Sequence, residues 1–523
     1  MSLEGASVHP DSSFLQFVWP FRFEPDHYDA RVRTLDSVRW RGRKDPLDVW
    51  GTKSFPEEDL LPSVARYLNA PIGSASSARL LELTDEALRS PHGLGAGSAD
   101  WFLSTPGGEI PFRLEQVQIS LFRDGIGFLS VGLRPAPAAA AAWLDALHFF
   151  RFAAGQRRVH LRAERRTGPD TREPWFPRPE RPEEPASAPP PVAPGNRTFR
   201  DVLEILLGTA TLPEDRGPWW EEVFIPGQML PWAALQFAGV PRDEHQRMLY
   251  RVHNFFHSRQ EIHPSAEDLR GGPETWIPYA DAQWFVFSLD GGAFVSFDPP
   301  DTEFFRRVMT EHLRTHYFLL FLLALEQRFA LTALSDDVGA HWSASTDPER
   351  RERAMARIHE RTLLFTARGY FPQAMQRDHH HRCYRRWQEV FQLERLYRAV
   401  TDGVREMHEH VMAERTHRMR ELAEHAEARE NAQQERWKPL RGLLEGFAAA
   451  FIGATLAWEL VAGAYYFKAL SAASPPALEP AGLRWIYLGK SLLVGLIGVV
   501  VAVTTRRIYR GLGGKPGAGH GLH

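Results

Sequence analysis

The sequence predicts an α+β cytoplasmic domain with a mixed sheet, a long α-helical stalk and two C-terminal transmembrane helices. Three observations carry that prediction. A strand–turn–strand–helix pattern occurs twice, over Gln118–Phe152 and again over Trp284–Leu334. The run Asp347–Arg441 is dense in Arg, Glu, His and Ala, the composition of long helices. Nearly all of the long apolar sequence falls at the C-terminal end.

The elements divide the chain into 1–167, a Pro-rich segment 168–195, a second part 196–346, a stalk 347–441, an apolar pair 442–510 and a tail 511–523. Gln118–Leu133 alternates apolar and polar residues about Asp124–Gly125, the signature of a β-hairpin with a tight turn. Ala138–Phe152 then reads as a helix. Trp284–Phe297 repeats the hairpin about Asp290–Gly291, and a helix follows over Asp301–Leu334. The repetition suggests two halves of one mixed sheet. The apolar middle of that second helix, YFLLFLLAL, is too short for a membrane span and is flanked by His316, Glu326 and Arg328, so it reads as a buried core helix. Gly168–Gly195 contains PRPERPEEPASAPPPVAP, which cannot bury a core. It serves equally as a linker between two domains or a loop within one. At the N-terminal end Met1–Asp11 is polar, and Phe14–Phe23 is short, aromatic and broken by Pro20. No signal segment is read there.

In the stalk, Gly369 and Pro372 separate a helix over 348–367 from a much longer one starting near 373 and running toward the first apolar segment. Val404, Met407 and Val411, then Met419, Leu422 and Ala426, keep an apolar seam at three- to four-residue spacing. Histidines cluster at His379–His381, His408, His410, His417 and His425. Without the carboxylate–histidine spacing of a fixed metal site, they read as solvated helix surface, with pH or metal sensing as the minor reading.

Leu443–Lys468 and Leu483–Thr505 as helices are about 39 Å and 34 Å long, against a hydrocarbon core of about 30 Å. Both are long enough to span. Arg436, Lys438 and Arg441 precede the first, and Arg506, Arg507, Arg510 and Lys515 follow the second. By the positive-inside rule both ends face the cytoplasm of a bacterial inner membrane and the short loop between them faces out. Two acids mark the first segment: Glu459 near mid-membrane and Glu445 near the cytoplasmic mouth. A lone carboxylate at mid-membrane costs about 2.5–3.5 kcal/mol, so Glu459 is expected to face protein or water. It shares a helical face with Ala448, Ile452, Thr455 and Ala462. A second stripe, Gly446, Ala450, Gly453 and Ala457, is small enough for close helix approach. The functional reading is an oligomeric pore lined by this segment, with acidic rings drawing cations. The alternative is a protonated Glu459 satisfied inside the helix pair, against Lys490.

Composition narrows the classes further. The chain has 523 residues, 43% of them hydrophobic and 24% charged, with 62 Lys+Arg against 65 Asp+Glu. That balance excludes a basic nucleic-acid coat, and no nucleic-acid partner is expected. A single cysteine, Cys383, excludes a disulfide framework and a Cys-rich zinc module. No P-loop, GxSxG, HExxH or calcium-loop motif occurs, and no enzymatic constellation is read. Gly93–Ser98 (GLGAGS) lacks the flanking strand and downstream acid of a dinucleotide site and reads as a loop. The Trp, Phe and Arg of 1–300 suit either a ligand cleft or an ordinary aromatic core.

Three stretches, Arg123–Val131 (RDGIGFLSV), Phe318–Leu334 (FLLFLLALEQRFALTAL) and Leu363–Tyr397, resemble a bacterial branch of the CorA family of divalent-cation channels. So does the order of sheet domain, long helix, two spans, short outer loop and basic tail. The resemblance covers roughly 300–510 and touches the N-terminal part loosely. It implies a homopentamer in a lipid bilayer, the first span lining the pore and the second outside it. It also implies a funnel of stalk helices gated by a cytoplasmic signal. It leaves no resident cofactor, only a divalent cation, transported or gating. The family's Gly-Met-Asn at the outer mouth corresponds to Gly463–Ala464–Tyr465, which keeps the Gly and lacks the Asn that meets the hydrated ion. That departure bears on magnesium selectivity more than on pore architecture. Some CorA-like proteins act instead as phage-defence effectors beside type III CRISPR systems, opened by a cytosolic nucleotide. That second expectation, and a third of a non-conducting membrane-tethered scaffold, stand beside the channel.

Overall fold

A computed structural model describes residues 3, 5–40, 47–69, 77–89, 100–153, 159–166, 171–174, 222–272, 274–344, 348–471 and 480–512. Two compact units emerge, Met1–Met412 and Ala413–His523.

The first unit is organised by one mixed sheet of fourteen strands among the described residues. Its principal strands are β1 (Phe14–Arg22), β2 (Ala78–Leu83), β3 (Asp100–Thr105), β4 (Gly108–Phe122), β5 (Ile126–Pro135), β6 (His160–Arg166), β7 (Arg172–Pro174), β8 (Leu230–Ala238), β9 (Trp276–Ala280), β10 (Gln283–Ser288) and β11 (Gly291–Phe297). They run in the order β7-β6-β3-β4-β5-β1-β8-β11-β10-β9, and β2 joins from the side against β4. Both expected hairpins are present, as β4–β5 and β10–β11. The pairing of β8 with β11 is parallel and the others on this path are antiparallel, so the sheet is mixed. Strands from both sides of the Pro-rich segment meet at β1 and β8, which makes 1–167 and 196–346 one sheet. Within 168–195, Arg172–Pro174 forms an edge strand; 175–221, the loop Gly93–Ser98 and the tail beyond Leu512 lie outside the described residues.

Both faces of the sheet are covered, and β1 records this. Leu15, Phe17, Trp19 and Phe21 face one core, and Phe14 and Val18 face the other. A strand buried on both sides needs no polar alternation, which is why FLQFVWPF reads as a continuous apolar run. Pro20 is tolerated because β8 pairs only with Phe14–Val18, leaving the next edge of β1 open at that position. Over the first core lie α1 (Ala140–Phe149), through Trp143 and Leu147, and α2 (His245–His253), through Met248 and Val252. Over the second lie α3 (Phe318–Ala344), α4 (Pro348–Arg368) and α5 (Asp378–Val390).

The stalk expectation needs correcting here. α4 and α5 are not part of a free stalk, because Met355, Ile358, Phe365, Tyr384 and Trp387 enter the second core. The long helix does not begin near 373. Gln392, at φ 53°, interrupts the chain after α5, and α6 (Leu393–Leu470) starts beyond it. Val400, Val404 and Val411 are buried, so the seam predicted at 404–411 packs within the first unit, whereas Met419 and Leu422 are exposed.

The second unit holds the rest of α6 and α7 (Pro480–Leu512). Two helical segments among the described residues are long and apolar enough to cross a membrane. In Phe304–Ala340 the apolar window is 83% buried, as expected of a core helix; in Leu393–Ala464 it is 0% buried. The described apolar stretch of α7, Leu488–Val500, is shorter than the ~20 residues a span needs.

Candidate functional site

All nine residues singled out for the pore lie on α6. Glu445 is exposed and accepts a hydrogen bond of 3.0 Å from Arg441 one turn earlier, an i,i+4 pair. Ala448 and Ile452 are exposed, whereas Thr455 and Ala462 are half-buried. The Thr455 hydroxyl bonds back to the carbonyls of Phe451 and Ile452, both at 2.9 Å, and so gives its own proton to the helix. Glu459 is ion-paired with Lys490 of α7. Beside it, Trp458 approaches Gly489, where a Cβ would meet the indole at 3.1 Å. The structure therefore brings together the two groups of the alternative reading, and Glu459 is not a bare acid. Gly463 and Ala464 are exposed near the end of α6; Tyr465 is helical, and its side chain lies outside the described residues. Residues 472–479, between α6 and α7, also lie outside them.

A second constellation escaped the sequence reading. Asp124 closes the β4–β5 turn, its carboxylate accepting the Ile126 N–H at 3.2 Å. Gly125 follows at φ 92°, where a Cβ would sit 2.4 Å from the Phe23 carbonyl, so only glycine fits. The turn places Asp124 against Glu326 of α3, which is fully buried and accepts from the Tyr67 hydroxyl at 3.1 Å. Burial pushes the Glu326 carboxyl well above its ordinary range, helped by the neighbouring Asp124, and burial raises Asp124 and Tyr67 too. Asp124 Oδ2 and Glu326 Oε2 each lack a hydrogen-bond donor. Two carboxyls so placed resist ionising together, because neither can ionise without facing the other's charge. Nearby, Asp337 bridges Arg22 and Arg361, the latter at 2.6 Å. The available signal was Glu326 itself, an acid ending an apolar helical run.

The triple histidine is also placed differently from the expectation. His380 is 1% exposed, its ring parallel to that of His316 at 5.7 Å and edge-on to Tyr317 at 4.9 Å. Neither of its ring nitrogens has a hydrogen-bond partner. It is a core histidine, not solvated surface, and no metal-holding group occurs among the described residues. Burial, then the neighbouring His379 and His316, pushes its pKa down to about 3. The unfolded chain takes up this proton near pH 6.5, so stability present above pH 6.5 is lost as pH falls toward 3. We expect His380→Leu to flatten the acid limb relative to wild type by about 1.4 kcal/mol per pH unit between pH 6.5 and 4.5. Urea midpoints at several pH values measure this, and parallel acid limbs would refute it.

Comparison with protein-family models, with curated proteins and with solved structures gave no match.

Proposed function

We propose that the chain is a CorA-like, homo-oligomeric membrane channel for cations, its sheet domain acting as the cytoplasmic gate. The observation that carries this reading is the apolar window of α6, none of which is buried within the protein. Leu460 is 74% and Phe467 78% exposed. An apolar surface of that extent in water marks contact with lipid or with further copies of the chain. On this reading α7, whose 33 residues are about 50 Å long as a helix, forms the second span. Basic residues flank both helices at the ends away from their connecting loop, and both termini face the cytoplasm.

The Glu459–Lys490 pair changes the expected conduction path. A neutralised pair lowers the cost of each charge in the membrane and removes the mid-membrane ring of bare acids. Cation preference then falls to Glu445 at the cytoplasmic mouth, whose own pair with Arg441 is exposed and weakened by water, with Ala448, Ile452 and Thr455 as an uncharged wall above it. A pentamer is the stoichiometry the family resemblance implies, and a divalent cation its cargo. The same ion pair favours a second reading, a non-conducting scaffold whose two helices are held together by it.

Ion flux into liposomes decides between them. Purified protein is expected to pass magnesium, cobalt or potassium in preference to chloride, and Glu445→Gln to reduce that preference severalfold. Silence for all four ions, with and without a cytosolic extract, would sink the channel and leave the scaffold. Flux only with extract would identify a ligand-gated effector.

A further inference from the structure

The first unit contains a cleft of about 650 Å3, within the range of small-molecule sites. Tyr67 and Asp124 line it, α3 contributes the apolar Ala330 and Leu334, and α4 contributes a further set. Arg357, Arg361 and Arg368 lie at i, i+4 and i+11 on one face of that helix, and all three line the cleft. Arg22 joins them from β1.

Like charges one turn apart on a helix repel. Asp337 offsets Arg361 and Arg22, yet no ion pair among the described residues reaches Arg357 or Arg368. Glu24, Asp26 and Glu360 also line the cleft, which disfavours an extended polyanion and suits a compact one. Guanidinium groups lining one small cleft suit the tetrahedral oxygens of a phosphate, while Ala330 and Leu334 suit an apolar remainder.

We propose that this cleft binds a phosphate-bearing small molecule through Arg357, Arg361 and Arg368, and that α4 passes its occupation to the start of α6. The second half has its own contacts inside the first unit. His359 of α4 stacks on His408 of α6 at 4.5 Å. Thr366 of α4 accepts from the Tyr397 hydroxyl at 3.2 Å, and Tyr370, just past α4, stacks on Tyr397 at 4.4 Å. A ligand that draws the arginine face inward shifts these contacts. Only this transmission rests on the channel reading; binding does not.

Inorganic pyrophosphate is titrated calorimetrically into the full chain in detergent micelles, with citrate as a phosphate-free polyanion. Arg357 and Arg368 are exposed, so their substitution leaves the fold intact. We expect pyrophosphate to bind, and Arg357→Gln and Arg368→Gln each to weaken it about tenfold, the order expected for loss of one charged hydrogen bond. Glu360→Gln should tighten it severalfold. No binding, or binding unchanged in the Arg357→Gln/Arg368→Gln double variant, overturns the site. Citrate bound as tightly and lost in the same variants overturns the phosphate assignment. Pyrophosphate that binds but leaves liposome flux unaltered overturns the transmission alone. Absence of any flux in the presence of binding counts against the channel and not against the site.

Discussion

Replacing Trp387 by alanine is expected to destabilise the sheet domain by about 3–5 kcal/mol, the usual cost of emptying a large aromatic site in a core. Trp387 is 0% exposed although it comes from a segment whose composition is that of a solvated helix. Its ring lies 4.7 Å from Phe321 of α3, 4.9 Å from Phe287 of β10 and 5.2 Å from Phe391. Gly292 in β11 leaves the space for it, since a Cβ there would come within 2.5 Å of the indole. The same volume is therefore specified from the helix and from the strand. Urea unfolding followed by near-UV circular dichroism measures the loss, and Gly292→Ala should reproduce part of it by overpacking, about 1–3 kcal/mol. A loss below 1 kcal/mol for Trp387→Ala would mean that α5 is a detachable piece of stalk after all.

That result bears on why some elements were legible in the sequence and others were not. The β4–β5 and β10–β11 hairpins announce themselves, because each centres on an Asp-Gly turn and the β4–β5 pair alternates apolar and polar residues. β1 does not, because a strand buried on both faces loses the alternation and resembles any apolar run. In α5 the spacing was present, His380, Cys383, Tyr384 and Trp387 recurring at three or four residues, but the surrounding Arg and His disguised it. Composition and periodicity disagreed, and burial followed periodicity. The Asp124–Glu326 pair lay beyond local reading because a hairpin turn and a core helix meet only in the folded sheet. The pore candidates all lie on α6. The partner of Glu459 is a matter between helices: the sequence reading preferred Glu459 in a pore and kept Lys490 as the alternative, and the structure pairs it with Lys490.

On the membrane reading proposed above, Lys490→Met is expected to cost the paired helices about 3–5 kcal/mol, because in lipid the remaining charge is left uncompensated. Glu459→Gln alone should be costly for the same reason, by stranding the lysine. The double variant Glu459→Gln/Lys490→Met removes both charges and should recover most of the loss, since replacing a buried pair by uncharged residues of similar size is often neutral. The yield of monodisperse oligomer extracted from membranes, compared across the three variants, reads this coupling directly. Additive losses in the double variant would show that the two residues act separately. In that case, on the channel reading, Glu459 faces a water-filled path, and cation preference should rise when the lysine is gone. A recovered double variant instead assigns Glu459 to holding the helices together, and the search for the charge that selects ions moves to Glu445 and the cytoplasmic mouth.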